Sequence, residues 1–296
     1  MHGWGVTEAL AALPEWVTPL FALLTQLADA WFVFAGLTLL YLLADGRLAS
    51  EPRRTTGVLL ALGICTIAAT VTFKTAFGIH RPVGAGSATP PTWLPTLLNP
   101  VFVDFATGDG FGFPSGHATT SSIVYGGLAL YLDELWDRRR RIVAAAGVVG
   151  IVGLARLVLG VHHLPDVFAG IATGLTVLLT VRWIAGRDPE RAFLAAGALG
   201  ALSIVAALVF APEHPEELLK AAIALGAGFG AAVAWRRTGG ELPPVPVRIA
   251  VPGGAVLGGL WGGIYVAELP PVISAVGSAL AVGAIVALPG VVGAVE

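Results

Sequence analysis

Charged side chains are scarce in this sequence, because Asp, Glu, Lys and Arg make up only 12% of its 296 residues. A soluble globular domain carries about twice that share, roughly 25%. Apolar residues reach 56%, and the mean hydropathy is +0.82. A chain of this composition has too little polar surface for a soluble globule, and it is too apolar to be disordered. The composition therefore predicts an integral membrane protein.

Cysteine is nearly absent as well. With Cys65 as the single cysteine, an intramolecular disulfide framework and a cysteine-rich zinc or iron–sulfur site are both excluded. No Lys or Arg precedes Arg47, and because a secretory signal peptide needs a basic first segment, the sequence argues against one. The net charge of −2 gives no indication of a nucleic-acid partner.

Apolar runs of about 20 residues, the length a helix needs to cross a bilayer, dominate what is present. They predict an all-α fold, a polytopic transmembrane helical bundle of about nine spans. The expected spans are Val17–Ala44, Thr55–Ile79, Gly116–Leu132, Ile142–Val161, Pro165–Ile184, Ala192–Ala211, Glu217–Trp235, Ile249–Ala267 and Pro271–Val292.

The basic residues orient this bundle. Alternate connections hold 13 of the 17 Lys and Arg residues, and the connections between them hold almost none. This is the positive-inside pattern, so we expect the basic connections and the C-terminus in the cytoplasm and the N-terminus outside. The residues are Arg47, Arg53, Arg54, Arg138, Arg139, Arg140, Arg141, Arg182, Arg187, Arg191, Arg236, Arg237 and Arg248.

Three of the four remaining basic residues lie at the outer ends of predicted spans, where ionisable groups indicate function. Lys74 and Arg81 flank the end of the second span, seven residues apart. On a continuous helix they would lie within about 20° of one face. Arg156 lies late in the fourth span. The other residue, Lys220, follows two glutamates and is interpreted as part of a helix-surface ion pair.

The segment Phe113–His117 has the features of an anion site. Ser115 is a natural N-cap for the third span, and Gly116 lets a ligand approach the backbone. The free amides and the positive end of that helix favour an anion. Because three cations are expected at the same outer surface, the sequence predicts a binding site for phosphate.

Histidines and a carboxylate supply the groups that phosphoryl transfer needs. His117 and the neighbouring His162 and His163 offer a proton donor and a nucleophile, and Asp166 can orient an imidazole. On an ideal helix Arg156 and His162 are rotated about 240° apart, so we expect the helix to end or distort before His162. Few acidic residues surround the site, which predicts chemistry without a metal ion.

Three further residues have two interpretations each. Asp29 interrupts the first span and either binds a substrate hydroxyl or marks an interfacial turn, and the turn is favoured. His80 either flanks the pocket or is a plain interfacial residue, and the second is favoured. His163 either faces lipid headgroups or lines the mouth of the site.

Three ordered motifs resemble the three-part signature of the type 2 phosphatidic acid phosphatase and vanadium haloperoxidase superfamily. They are Lys74-x6-Arg81-Pro82, Pro114-Ser115-Gly116-His117 and Arg156-x5-His162-x3-Asp166. The resemblance implies a superfamily-type, six-helix-like catalytic core. It departs from the family at Ala155, where a serine is usual, and this removes one hydroxyl donor to the phosphate.

The resemblance also implies a role for each residue of the motifs. His162 would attack phosphorus and form a phosphohistidine, Asp166 would orient His162, and His117 would protonate the leaving group. The phosphate oxygens would be held by Lys74, Arg81, Ser115, Gly116 and Arg156. Vanadate, which mimics the five-coordinate transition state, should inhibit.

These implications describe a metal-independent membrane phosphatase without a cofactor. Its substrate would be a lipid phosphate, or a polyprenyl pyrophosphate such as undecaprenyl pyrophosphate, at the outer leaflet among membrane lipids. Soluble sugar phosphates, phosphate transfer between lipids and haloperoxidase activity stay open. An anion or phospholipid transporter using the same basic cluster is the alternative from another class. Residues 1–186 would form the core with an extracytoplasmic site, and residues 187–296 would add C-terminal transmembrane helices. The sequence does not indicate an oligomeric state.

Overall fold

The chain forms helices almost throughout, as its apolar runs predict. In the computed structural model, which describes residues 14–294, it folds into eleven α-helices and two short 3₁₀ turns at Thr25–Ala28 and Thr96–Leu98. The α-helices are α1 (Val17–Leu24), α2 (Ala30–Leu43), α3 (Pro52–Phe77), α4 (Asn99–Ala106), α5 (Gly116–Tyr131), α6 (Arg138–Val158), α7 (Leu164–Ala185), α8 (Pro189–Phe210), α9 (Pro215–Thr238), α10 (Val247–Val266) and α11 (Pro271–Gly293). The predicted all-α class is confirmed.

Most of the predicted spans have counterparts among these helices. Among residues 14–294, seven helices, α3 and α6 to α11, are long and apolar enough to cross a membrane. An eighth candidate is formed by α1, its 3₁₀ turn and α2, which are bent by 46° at the break. The remaining predicted span, Gly116–Leu132, corresponds to α5, which has 16 residues and is about 24 Å long. That is shorter than the bilayer core of about 30 Å, so length and composition support up to eight spans in this part of the chain.

Despite its length, α5 connects the two ends of the bundle. At its N-terminus the Ser115 amide donates to the Asp166 carbonyl at 2.9 Å, at the end where the three motifs lie. At its other end Tyr131 donates to the Gly186 carbonyl at 2.8 Å, and Asp133 pairs with Arg187 at 2.7 Å, among the arginine-rich connections. We call this second end the basic end. Because α5 packs against α3, α6 and α7, protein surrounds much of it.

Helix α3 lies at the centre of the bundle. Of its most apolar stretch of 18 residues, 83% is buried inside the protein. It packs against α2, α5, α8 and α9. One apolar cluster includes Leu60 from α3, Phe193 from α8 and Ala224 from α9. The C-terminal helices therefore pack directly on the helix that carries Lys74. The division at residue 186 stays a prediction.

Glycines allow α7 to approach α5 closely. A β-carbon added to Gly170 would lie 2.5 Å from the Ser115 carbonyl oxygen, and one added to Gly174 would lie 2.6 Å from that of Thr119. Side chains at these positions would push the helices apart. The glycines thus hold the start of α7, which contains Asp166, against the start of α5.

Small residues also join the C-terminal helices. β-Carbons added to Gly226 and Gly230 of α9 would collide with the backbone carbonyls of Ala275 and Ala279 of α11. These close contacts pack α9 directly against α11.

Replacing Gly170 with alanine is expected to lower the free energy of unfolding by about 2 kcal/mol, because the new methyl group must displace the backbone of α5. Thermal unfolding in detergent measures the effect. The matched control is Gly147→Ala on α6, where an added β-carbon meets nothing within 4 Å. Alanine favours helix by up to about 1 kcal/mol, so this control should be at least as stable as the wild type. Equal stability of the two variants would contradict the close-approach argument.

Candidate active site

The chain changes direction sharply just before His162. Helix α6 ends at Val158, and Gly160 has a left-handed backbone with a φ of +67°. Helix α7 then begins at Leu164, with a proline in its first turn. The prediction that the helix ends before His162 is confirmed. The turn lets Arg156 on α6 and His162 in the loop reach the same site.

The His162 ring lies between the carboxylate of Asp166 and the guanidinium of Arg81. Its Nδ1 is 3.4 Å from Asp166 Oδ2, and its Nε2 is 3.0 Å from Arg81 Nη1. A guanidinium can only donate, so Nε2 is the acceptor and the proton of the neutral ring resides on Nδ1, facing Asp166. Burial, and the positive charges of Arg81 and Arg156, hold the pKa of His162 well below its usual range. The ring therefore keeps a lone pair on Nε2 at neutral pH.

Arg81 reaches the site from a loop. Gly78, with a φ of +58°, ends α3, so Lys74 and Arg81 do not share a continuous helix. The guanidinium donates to the Asp109 carbonyl at 2.6 Å and to the Val161 carbonyl at 3.2 Å, and these bonds hold it beside His162. Burial lowers the pKa of Arg81, while the carboxylates of Asp109 and Asp166 oppose that shift.

The start of α5 lies against the last turn of α3. A β-carbon on Gly116 would lie 3.8 Å from Lys74 Cε, so the absence of a side chain keeps the space beside Lys74 open. Ser115 caps α5 by accepting from the Ala118 amide at 3.5 Å, as predicted. Its own amide is occupied by the Asp166 carbonyl. A ligand would therefore meet the Ser115 hydroxyl and the Gly116 amide.

Arg156 is held by the first, bent span. Its side chain is buried on α6, and Nη1 donates to Thr25 Oγ1 at 3.1 Å. Among the described residues its Nε has no hydrogen-bond partner. Ala155, which stands where a serine is usual, is fully buried.

His117 completes the cluster at the second position of α5. Its Nε2 lies 3.8 Å from Asp29 Oδ2. The charges of Lys74, Arg81 and Arg156 act on His117 and on His162, and the two histidines also interact. The structure thus brings together residues from all three motifs, which lie on four different helices and on the loops between them.

A family model supports this reading of the motifs. Residues 54–189 match the model of the PAP2 superfamily, and all three motifs lie inside the match. Over this segment the chain is similar to members of the PAP2 superfamily.

Two curated relatives match the chain over part of their length. Phosphatidylglycerophosphatase B of Bacillus subtilis is 32% identical over 90 residues, which are 29% of this chain and 44% of that protein. Lipid A 4'-phosphatase of Porphyromonas gingivalis is 30% identical over 126 residues, 40% of this chain and 46% of that protein. The chain thus spans less than half the length of these relatives. No solved structure matches it.

Several residues outside the PAP2 motifs have unexpected positions. Asp29 lies at the turn that was favoured, yet its carboxylate faces His117. Thr25, which sequence reasoning missed, binds Arg156. His80 is exposed at the rim, where its backbone pairs with Phe111. His163 is the N-cap of α7, and its amide donates to Asp166 Oδ2 at 2.7 Å.

The interpretation of Lys220 as part of a surface pair is wrong in one respect. Lys220 does pair with Glu217, at 2.8 Å, but Glu217 is only 4% exposed. The burial arises because α9 packs on α3, where Ala221 and Val71 share a small apolar cluster. The spacing of the two residues predicts the ion pair between Lys220 and Glu217, but it cannot show that neighbouring helices bury Glu217.

Within residues 14–294, no group of three or more His, Cys, Asp or Glu side chains is arranged so that it could hold a metal ion. The site contains two histidines and two aspartates, arranged as the separate pairs His162 with Asp166 and His117 with Asp29. The arrangement can therefore offer a nucleophile, a proton donor and cations for an anionic substrate.

Proposed function

We propose that the protein is a membrane phosphatase that removes phosphate from a lipid phosphate or polyprenyl pyrophosphate through a phosphohistidine intermediate. The observation that carries this proposal is the His162 ring, whose Nδ1 faces Asp166 while Nε2 accepts from Arg81 within a cluster of cations. A neutral imidazole held in this tautomer, beside groups that bind oxyanions, is suited to attack phosphorus. The names of both relatives, phosphatidylglycerophosphatase B and lipid A 4'-phosphatase, describe removal of phosphate from a lipid.

In the first step, His162 Nε2 forms a bond to phosphorus as the bond from phosphorus to the leaving oxygen breaks. The leaving oxygen takes a proton from the imidazolium of His117. Asp166 stabilises the positive charge that develops on the His162 ring. Arg81 Nη1 releases Nε2 and donates to a phosphate oxygen.

In the second step, a water molecule attacks phosphorus and gives its proton to the now neutral His117. The bond between phosphorus and His162 breaks, inorganic phosphate leaves, and both histidines regain their starting states. The negative charge on the phosphoryl oxygens is balanced throughout by Lys74, Arg81 and Arg156, with further donation from the Ser115 hydroxyl and the Gly116 amide. An alcohol in place of water would make the same intermediate a phosphate donor to a second lipid.

The proposed site lies at the outer surface of the membrane. Residues of the three motifs are at one end of the bundle, and the basic end is at the other, which the positive-inside pattern assigns to the cytoplasm. A lipid in the outer leaflet can then present its phosphate to the site while its chains stay in the bilayer. We assign the catalysis to residues 1–186 and a supporting role to the helices of residues 187–296.

Phosphate release from the detergent-purified protein, with EDTA present, tests the proposal. The panel contains a phosphatidate, a phosphatidylglycerophosphate, a polyprenyl pyrophosphate and glucose 6-phosphate. We expect turnover of at least one lipid substrate without added metal, inhibition by orthovanadate, and hydrolysis of an added short-chain phosphatidate by intact spheroplasts.

Each alternative gives a different result in this panel. Binding of phosphate without turnover of any substrate would favour the transporter. Turnover of glucose 6-phosphate alone would exclude a lipid substrate, and dependence on a metal after EDTA treatment would contradict the metal-independent mechanism. Bromide oxidation that requires added vanadate would indicate a haloperoxidase.

A further inference from the structure

We infer that the bent first span belongs to the catalytic machinery, and that Asp29 positions His117 and keeps it protonated as the general acid. This inference rests on the proposed function. Its geometric basis is the 3.8 Å distance between Asp29 Oδ2 and His117 Nε2. Asp29 lies before residue 54, outside the PAP2 match.

The fold fixes Asp29 in this place from several sides. The first span bends by 46° at this residue, where the extended backbone of Asp29 (φ −74°, ψ 148°) separates the 3₁₀ turn from α2. Tyr125 of α5 donates to the Leu27 carbonyl at 2.7 Å, and Arg156 of α6 donates to Thr25. The turn is thus attached to α5, the helix that carries His117, and to α6, which carries a phosphate-binding arginine.

The Asp29 side chain is available for this role. The amides of Ala30 and Trp31 lie near the carboxylate, but no capping hydrogen bond of ordinary geometry ties it to α2. The side chains of Asp29 and His117 are both partly exposed, at 36% and 24%. Hydrogen bonds of catalytic groups are often long before substrate binds and shorten in the complex.

The charges around His117 make such a partner necessary. Burial, and three cations from three elements, oppose the formation of an imidazolium, which the general acid requires at the start of each turnover. Among the described residues, Asp29 is the carboxylate found within 4 Å of a His117 ring nitrogen, at 3.8 Å from Nε2. The charged or titratable groups that act on the pair are Lys74 from α3, Arg81 from the following loop, Arg156 from α6, His162 from the loop before α7, and Asp104 from α4.

The site then contains two pairs of aspartate and histidine with different tasks. Asp166 orients the neutral ring of the nucleophile His162 and stabilises the positive charge that develops on it during the attack. Asp29 holds His117 Nε2–H, so that Nδ1 gives its proton to the leaving oxygen and takes one back from water. The proton balance of the proposed mechanism is unchanged, and Asp29 stays ionised throughout. Asp29 acts through His117 and is therefore a positioning residue.

The test compares two leaving groups in Asp29→Asn. A short-chain alkyl phosphate expels a strongly basic alkoxide and needs the acid, whereas p-nitrophenyl phosphate expels a weakly basic phenolate and needs it little. We expect kcat/KM for the alkyl substrate to fall about 100-fold and kcat/KM for p-nitrophenyl phosphate to fall less than about 3-fold. The alkaline limb of the pH profile should move to lower pH, because the acid loses its proton more easily. Asp29→Glu, which retains the charge, should recover part of the alkyl activity.

The matched control is Asp104→Asn, which removes an exposed carboxylate of α4 that acts on Asp29 and should leave the ratio between the two substrates unchanged. Equal losses for both substrates in Asp29→Asn, with an unmoved pH profile, would overturn the inference, because they indicate a merely structural role. A KM that rises in Asp29→Asn only for substrates with a hydroxyl-bearing headgroup would also overturn the inference, because it would show that Asp29 binds a substrate hydroxyl instead. If the wild type hydrolyses neither substrate nor any lipid phosphate, the proposed function itself fails.

Discussion

Replacing His162 with alanine is expected to reduce phosphate release by about 10⁴-fold or more, the scale seen when a catalytic nucleophile is lost. The variant has no Nε2 lone pair between Arg81 and the phosphorus, and no other described side chain takes the place opposite Asp166. Initial rates on the best lipid substrate of the wild type measure the loss. Rapid acid-free quenching with labelled p-nitrophenyl phosphate, whose leaving group needs little help from an acid, should trap a phosphorylated protein in His117→Ala and none in His162→Ala.

The control for this prediction is His80→Ala. His80 is exposed at the rim of the site, next to the same loop, so its removal should change the rate by less than about 3-fold. A labelled intermediate that persists in His162→Ala would assign the nucleophile elsewhere. Near-normal rates in that variant would refute the mechanism.

The local features of the site could be predicted because short segments determine them. Ser115 caps α5 since a serine side chain can accept from an amide three residues on. The break before His162 follows from the 100° rotation per residue of a helix, which would otherwise turn Arg156 and His162 away from each other. The residue types and spacings alone contain this information.

The convergence of the motifs could not be derived from spacing in the same way. It depends on the direction of the bend at Asp29, on the contact that Gly170 permits between α5 and α7, and on the loop that returns Arg81 to the site. Thr25 and Arg156 are 131 residues apart in the chain, and nothing local to either residue indicates their hydrogen bond. For the same reason, the sequence favours a turn at Asp29 but cannot show that the Asp29 carboxylate faces His117.

The length of α5 illustrates a second limit. A count of apolar runs treats every span as surrounded by lipid, so the sequence predicts one more full span than the helix lengths support. A short helix can connect the two ends of the bundle when its neighbours satisfy its polar ends, as the Asp166 carbonyl does for the Ser115 amide. Several polar residues of α5, among them Thr119 and Ser122, are buried against neighbouring helices.

Replacing Arg81 with lysine is the second change for which we expect a large effect, a fall in kcat/KM of about 10²- to 10³-fold. The guanidinium donates in three directions, through Nε to the Asp109 carbonyl and through Nη1 to the Val161 carbonyl and His162 Nε2. Two of these bonds fix the side chain, so that Nη1 can transfer from His162 to a phosphate oxygen as the nucleophile attacks. A lysine ammonium retains the charge, but it lacks the planar fork that makes all these contacts at once.

The loss should appear in transition-state binding more than in folding. We therefore expect orthovanadate to inhibit Arg81→Lys much more weakly than the wild type, while the thermal unfolding temperature changes little. Arg140→Lys is the matched control, because Arg140 forms an ion pair with Asp137 at 3.1 Å on an exposed part of the basic end, and its rate and vanadate inhibition should stay normal. If Arg81→Lys also keeps the normal rate and the normal inhibition by vanadate, a positive charge alone is sufficient at this position. The transfer of Arg81 from the nucleophile to the phosphate would then be wrong, although the assignment of His162 would be unaffected.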